Sequence, residues 1–460
     1  MTREISILGA GLVGSVLSVL LKNKGYKVNI YERRPDPRKT SIYAGKSINL
    51  AISQRAWKAL ELAGIKEDIA PITIPMYGRS LHLPDGTTAY QAYGKNNEAI
   101  YSVSRGDLNI KMMDVAEQNG VQIHFDHRAT SVNVHTNEVQ FDFNGAQKTH
   151  KADLLFGADG AFSALRTSYS FADRVDYQQF YLAHGYKELY IPAGKEGSFL
   201  MEKNALHIWP RHNYMLIALP NFDGSFTCTL FFPFEGDLSF QSLQKREDIS
   251  AFLETNFKDA FDLAPSMVDD FIKNPTSSLI TTRIFPWHFS DKSALIGDAA
   301  HAIVPFYGQG MNAGFEDCST LYALMEQWGD DWTTILATYE KLRKPNGDAV
   351  GDLAIMNFEE MRDKVADPLF LERKRVEKLL GKMYPKEFIS TYEMLSFTHT
   401  PYHTVMQCIA AQDALLEKIL AKGNFENFIA LPEGKAQLDQ WMNAYYQAVQ
   451  QLDFGTTFSA

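Results

Sequence analysis

Cysteine is scarce. The three residues present, Cys228, Cys318 and Cys408, are scattered along 460 positions. They are too few for a disulfide framework, and they lack the CxxC or Cys/His spacing of a zinc site. An excess of basic charge is also missing. Lys and Arg total 45 against 55 Asp and Glu, a formal net charge of −10, so non-specific attraction to nucleic acid or to an anionic membrane is not expected. Long hydrophobic runs are absent too. The longest uncharged apolar stretch near the start, Ile5 to Leu21, falls short of the ~20 residues that span a bilayer and is interrupted by Gly9, Gly11 and Gly14. Arg3 ahead of it is offset by Glu4, which makes a poor signal peptide. The closing segment Phe454 to Ala460 has no hydrophobic tail. The expectation is a cytoplasmic protein with reduced thiols, no metal and no membrane anchor, either a monomer or a weak homodimer.

What the chain does have is core material. A content of 45% hydrophobic and 22% charged residues excludes wholesale disorder and coiled coil. The length is about three times a typical domain of ~150 residues, so two domains or one with large insertions are expected.

The first thirty residues read as strand, glycine turn, helix, strand. Ser6-Ile7-Leu8 and Val28-Asn29-Ile30-Tyr31 suit buried parallel strands. Between them stands Gly9-Ala-Gly11-Leu-Val-Gly14, a GxGxxG fingerprint. In it the first glycine allows the tight turn, the second the approach of a pyrophosphate, and the third close packing of helix on strand. The helix N-terminus offers free N–H groups to phosphate. Glu32, followed by Arg33, ends the second strand, where an acid can accept from ribose hydroxyls. This establishes dinucleotide binding as the expectation without choosing between NAD and FAD.

Two later segments bear on that choice. Asp153 to Gly160 is an apolar strand running into Asp159-Gly160, and Ser293-Ala-Leu-Ile-Gly297-Asp298-Ala-Ala-His301 continues to Pro305-Phe-Tyr-Gly308-Gln-Gly310-Met-Asn312. His301 has no acid beside it in sequence and reads as a structural histidine. Together with the GxGxxG, these motifs resemble the aromatic-ring hydroxylases, single-component flavoprotein monooxygenases. The resemblance implies an α/β fold: an FAD-binding Rossmann-like domain with an inserted antiparallel β-sheet substrate domain and a C-terminal helical cap. The expected borders are 1–72, 98–175 and 283–345 for the FAD-binding domain, 73–97 and 176–282 for the sheet, and 346–460 for the cap. It further implies that Asp298 bonds the ribityl chain, that Gly310, Met311 and Asn312 line the flavin ring, that Asp159 serves FAD and NADPH, and that Arg105, at the start of a helix, reaches the flavin. Ala51 and Arg33 complete the implied cofactor set. No second GxGxxG occurs, which fits NADPH docking briefly on a protein that keeps its FAD.

Further segments resemble one branch of that family along nearly the whole chain. They include Gly45-Lys-Ser-Ile-Asn-Leu-Ala51, Pro75-Met-Tyr-Gly-Arg79, Tyr93-Gly94, Tyr101-Ser-Val-Ser-Arg105 and Asn204-Ala-Leu-His-Ile-Trp-Pro210. The resemblance implies a site for an amino acid bearing an aniline ring. Arg79 would pair with its carboxylate, as a planar fork suits two oxygens. Tyr93, Tyr392 and Asn357 would assist, and Glu360 would face the ammonium. Asn357, Glu360 and Met361 share one face of a predicted helix. Leu206, Met215 and Phe231 would form an apolar wall, with Ile217, Leu219 and Thr229 on the same runs, and Pro305 and Phe306 would lie between substrate and flavin. Tyr307 stands where relatives carry phenylalanine or histidine, and Phe358 where they carry tyrosine. No side chain is expected to be catalytic. The implied chemistry is reduction of FAD by NADPH, addition of O2 at flavin C4a, and transfer of the distal oxygen of the hydroperoxide to the ring. The alternatives are hydroxylation of another aromatic acid, or flavin binding without hydroxylase activity.

Overall fold

The computed structural model describes residues 3–39, 48–94, 97–360 and 368–454. Residues 45–47, Met361 and 455–460, which the sequence reading used, lie outside them.

The strand Glu4–Leu8 is buried along almost its whole length, as a parallel strand covered on both faces must be. It pairs in parallel with Lys27–Tyr31 on one side and with Leu154–Gly157 on the other. Ser293–Leu295 adds in parallel beyond Leu154–Gly157, and Gln122–His124 beyond Lys27–Tyr31. Strand order therefore reverses at Glu4–Leu8, the place where open α/β sheets leave a crevice at their carboxyl ends. Three adjacent parallel strands run into the three sequence motifs there: Gly9 to Gly14, Asp159-Gly160 and Gly297-Asp298.

A seven-stranded sheet forms the second layer, in the order Ser277–Phe285, Asp176–Ile191, Phe226–Pro233, Tyr214–Pro220, Ala205–Arg211, Gly78–His82, Thr88–Ala92. Every junction is antiparallel except that of Gly78–His82 with Ala205–Arg211, which is parallel. Those two strands come from distant parts of the chain, so no hairpin dictates their direction. Part of the region expected to be sheet is helical: Arg246–Asn256, Lys258–Leu263 and Met267–Lys273. Ile249, Phe252, Leu253 and Phe257 recur at helical spacing and bury against Trp209, Leu216 and Phe232 on the back of the sheet.

The C-terminal part is all helix: Pro368–Met383, Thr391–Phe397, Tyr402–Leu420, Phe425–Ala430 and Pro432–Gln450 surround a core of their own. Asp331 caps the helix Trp332–Glu359, and Ser390 with Glu393 forms a capping box before Thr391–Phe397. The expected border at 345/346 falls inside Trp332–Glu359. That helix begins in the core of the parallel sheet with Trp332, Leu336 and Tyr339 and continues into the cap core with Val350 and Leu353, so one rod joins the two. Among the described residues no helix is long and apolar enough to cross a membrane.

Candidate active site

The glycine turn has the shape a pyrophosphate needs. Gly9 has φ +99°, and a Cβ there would meet the Ala158 carbonyl oxygen at 2.5 Å. A Cβ on Gly14 would meet the Gly9 carbonyl oxygen at 2.1 Å, whereas one on Gly11 would meet nothing within 4 Å. The turn is thus closed toward the protein and open at Gly11, over the uncapped start of the helix Leu12–Asn23. Glu32 is buried and accepts from the N–H groups of Ala10 at 2.9 Å and Arg34 at 3.0 Å. Those bonds fix its carboxylate at the strand end and leave lone pairs for a ribose.

Asp159 keeps one carboxylate oxygen unanswered among the described residues. Its Oδ2 accepts from the Ala164 N–H at 2.7 Å, while its Oδ1 is buried without a hydrogen-bond partner. Burial raises its pKa above the ordinary carboxylate value, against the hydrogen bonds from Ser163 and Ala164. Asp298 is exposed at the head of the short helix Asp298–His301. Arg33 and Arg105 are also exposed, and neither pairs with an acid among the described residues. Arg105 opens the helix Arg105–Gln118, which Ser104 caps by accepting from the Asp107 N–H.

The helix Gly310–Trp328 begins after Gly308, with Gln309 as an N-cap that makes no side-chain cap bond and with no acid in the first turn. The N–H groups of Gly310, Met311 and Asn312 are therefore free of intrahelical acceptors, and the helix end carries roughly half a positive charge. Asn312 departs from the expectation for its side chain. It is fully buried, donates to the carbonyls of Ala51 at 2.9 Å and Gly308 at 2.8 Å, and accepts from the Ser53 N–H at 2.9 Å. It staples the Gly308–Asn312 turn, the expected flavin turn, to the strand Asn49–Ile52 and to Ser53 after it, and only its backbone N–H is left for a ring.

At the other end, Arg79 finds no carboxylate among the described residues. Its guanidinium instead lies 5.5 Å from the Tyr93 ring and 5.1 Å from the Tyr392 ring, and the two rings stack at 4.7 Å. The Tyr93 hydroxyl is buried and unpartnered. Burial holds both phenols above their ordinary pKa, with Arg79 pulling the other way. Both are therefore O–H donors beside an unanswered cation, an arrangement suited to receiving an anion.

An apolar wall leads from Arg79 and the two tyrosines toward the Gly308–Asn312 turn. Leu206 and Ile217 pack with Tyr93 and Leu219; Met215 and Phe231 continue the surface, and Ile217 belongs to both groups. Phe306 lies 4.9 Å from Phe231 and 4.5 Å from Phe358, so the turn Pro305–Tyr307 bridges the wall and the helix that starts at Gly310. Thr229 is buried on the strand beside this wall. Tyr307 is driven above the ordinary phenol range by burial and by Glu360, so it too is protonated.

Two expectations change here. The Asn357 amide donates to the Phe306 carbonyl at 2.9 Å, so it orients that turn. Glu360 Oε1 is paired with Lys374 of the helix Pro368–Met383 at 3.0 Å, so an ammonium there would share the carboxylate with a lysine. His301 is structural, as expected, but it does have an acid: Asp317, 2.6 Å away. Asp317 also accepts from the Gly297 N–H at 3.1 Å and pairs with Arg343 at 2.7 Å. This buried group, together with Glu316 and Arg55, escaped the sequence reading. The only signal was a set of charges inside otherwise apolar helix faces.

The profile described as FAD binding domain matches residues 2–354. A protein of Flavobacterium psychrophilum named kynurenine 3-monooxygenase is 46% identical over 96% of this chain and 99% of its own length. One of the same name from Dictyostelium discoideum is 44% identical over 92% and 94%. The chain belongs to the kynurenine 3-monooxygenase family. Among solved structures, 2-methyl-3-hydroxypyridine-5-carboxylic acid oxygenase superposes with a TM-score of 0.65 at 20% identity, over 81% of this chain and 95% of that one. It shares the fold. The closed glycine turn, the room over Gly11 and the orphaned Asp159 oxygen all fit a bound FAD.

Proposed function

We propose that this protein is an FAD-dependent monooxygenase that hydroxylates L-kynurenine at ring C3 to give 3-hydroxy-L-kynurenine, with NADPH and O2 as co-substrates. The observation that carries the substrate end is Arg79, a guanidinium without an acid partner among the described residues, framed by two protonated tyrosines at the end of an apolar wall. The names of the relatives point the same way.

In this reading Arg79 takes the α-carboxylate in its fork, and Tyr93 and Tyr392 donate hydroxyls to the same oxygens. Leu206, Met215 and Phe231 hold the ring and keep water from it. Pro305 and Phe306 set its distance from the flavin turn, with Asn357 holding that turn in place. Gly9, Gly11, Gly14, Glu32, Arg33, Ala51, Arg105, Asp159, Asp298, Gly310, Met311 and the Asn312 N–H would hold FAD. When bound, FAD supplies electron transfer from NADPH and activation of O2. The substrate's aniline nitrogen already enriches its ortho carbon, so the protein positions and shields rather than supplying a strong base.

The test is NADPH consumption by the FAD-loaded protein with and without L-kynurenine, together with identification of the product. Stimulated consumption with 3-hydroxykynurenine formed is the expected result. Stimulation by a phenolic acid alone would move the assignment to another aromatic substrate. Flavin bound with no stimulation by any aromatic acid would leave a flavin-binding protein.

A further inference from the structure

Arg55 belongs to none of the three cofactor motifs and contacts neither Arg79 nor the apolar wall, yet it is 0% exposed. It is the second residue of the helix Gln54–Leu62, just past Ser53 and the strand Asn49–Ile52 that Asn312 staples. A buried guanidinium is costly unless every donor direction is answered, and here three separate elements answer. Nε donates to the Leu395 carbonyl at 3.2 Å, Nη2 to the Thr400 carbonyl at 2.5 Å, and Nη1 to Glu316 Oε1 at 2.5 Å. Leu395 lies on Thr391–Phe397, the short helix that carries Tyr392. Glu316 lies on the helix whose first turn is the flavin turn, and it is shared with Arg343 at 2.8 Å. The Arg55 guanidinium also lies 4.0 Å from the centre of the Tyr402 ring, and the Tyr402 hydroxyl donates to Gln309 Oε1 at 3.0 Å. Gln309 is the N-cap of that same flavin-turn helix.

We propose that Arg55 is a positioning residue for the reaction: it ties the helix bearing Tyr392 to the flavin turn, so that a substrate carboxylate seated on Tyr392 and the backbone beneath the flavin ring shift together. The substrate named here rests on the function proposed above; the coupling itself does not. Two routes carry it. One runs from the Leu395 carbonyl through Arg55 to Glu316, and the other from Arg55 across the Tyr402 ring to Gln309. A hydrophobic side chain could fill the same volume, but it would fix none of these groups in direction.

The experiment uses FAD-loaded wild type, Arg55→Lys and Tyr402→Phe. Amide hydrogen exchange is followed in residues 391–400 and 307–313 without substrate, and L-kynurenine is then titrated against the flavin absorbance. Arg55→Lys keeps a charge for Glu316 but loses the fork. It is expected to speed exchange of both segments about ten-fold and to raise the kynurenine Kd by a similar factor, the size of a lost charge-assisted hydrogen bond. Flavin content and exchange of Glu4–Leu8 should stay at wild-type levels. Tyr402→Phe breaks only the second route. It should speed exchange in 307–313 alone and shrink the flavin absorbance change at saturation, with little change in Kd.

Faster exchange in 391–400 with 307–313 unchanged in Arg55→Lys would make Arg55 a mere anchor of the cap and overturn the proposal. So would an unaltered Kd in the folded variant. If Arg55→Lys does not fold, Tyr402→Phe decides, and quiet exchange at 307–313 overturns the coupling. If wild-type flavin shows no response to L-kynurenine, the substrate assignment falls while the exchange data still judge the coupling.

Discussion

As proposed binding residues, Arg79 and Tyr93 are a burden to the free protein. An orphaned buried hydroxyl costs roughly 1–3 kcal/mol, and the Tyr93 hydroxyl is such a group. Tyr93→Phe is therefore expected to raise the stability of the substrate-free protein by about 1 kcal/mol while weakening L-kynurenine binding several-fold. Chemical denaturation and a flavin-absorbance titration on the same preparation check both signs, and a destabilised variant would mean that the hydroxyl has a partner in solution. Arg79→Ala removes the cation that faces the two rings. Affinity should fall by about a hundred-fold, as for two charge-assisted bonds, with flavin content, read from the ratio of visible to ultraviolet absorbance, unchanged. Sequence made these residues legible only through resemblance. Arg79, Tyr93 and Tyr392 sit on three elements far apart in the chain, and no local periodicity foretells that two rings will stack around a guanidinium. Nor could sequence show that Lys374 would pair with Glu360, or that the Asn312 amide would be spent on Ala51, Ser53 and Gly308.

Among elements, the glycine turn separates two kinds of requirement. Gly14→Ala drives a methyl group into the Gly9 carbonyl, so both apoprotein stability and flavin content should fall. Gly11 has an ordinary φ of −74° and open space at its Cβ. Gly11→Ala should therefore leave apoprotein melting within a degree or two, while FAD content drops sharply because the methyl group occupies the phosphate's approach. Differential scanning fluorimetry of stripped protein, with flavin release on denaturation, distinguishes the two. This turn, the motifs at the three strand ends and the helix Gly310–Trp328 were readable because each rests on a short local pattern: glycine spacing, an apolar run, a 3.6-residue stripe. The helices between 246 and 273 were missed because each is no more than about three turns of amphipathic pattern inside a region otherwise rich in strands. The parallel junction of Gly78–His82 with Ala205–Arg211 was missed because register between distant strands is decided by packing, with no turn to announce it.

At the scale of the whole molecule, buried ionisable groups set the response to acid. Burial alone would raise the pKa of Glu316 and Asp317, but Arg55 and Arg343 around the first, and His301 and Arg343 around the second, hold both below the ordinary carboxylate values. Their contribution to stability is present above the unfolded carboxylate range and is lost as pH falls through it. His207 is 2% exposed and depressed to about 4, mainly by burial, with His82 beside it. The unfolded chain takes up that proton near pH 6.5 and the folded one only near 4, so stability is lost across that interval too, by about 3 kcal/mol for this group. All three act in one direction. The melting temperature is expected to be highest near neutrality and to fall steadily below about pH 6.5, with the upper part of the decline removed in His207→Phe. A melting temperature flat between pH 7 and 5 would contradict the assignment for His207.

The parallel junction between Gly78–His82 and Ala205–Arg211 also has a consequence in time. The strand that presents Arg79 leaves the ribosome early, but its neighbour is more than a hundred residues behind, and Tyr392 follows later still. A nascent chain can close its glycine turn on the second strand at once, because that contact is local, whereas the anion pocket waits for almost the entire polypeptide. Loop-closure entropy must be met before any of those distant contacts repays it. The glycine turn forms first and the cluster of Arg79 with Tyr392 last in biosynthesis, and the nascent chain most exposed to aggregation is one that has released Gly78–His82 but not yet the strand Ala205–Arg211 that covers its edge.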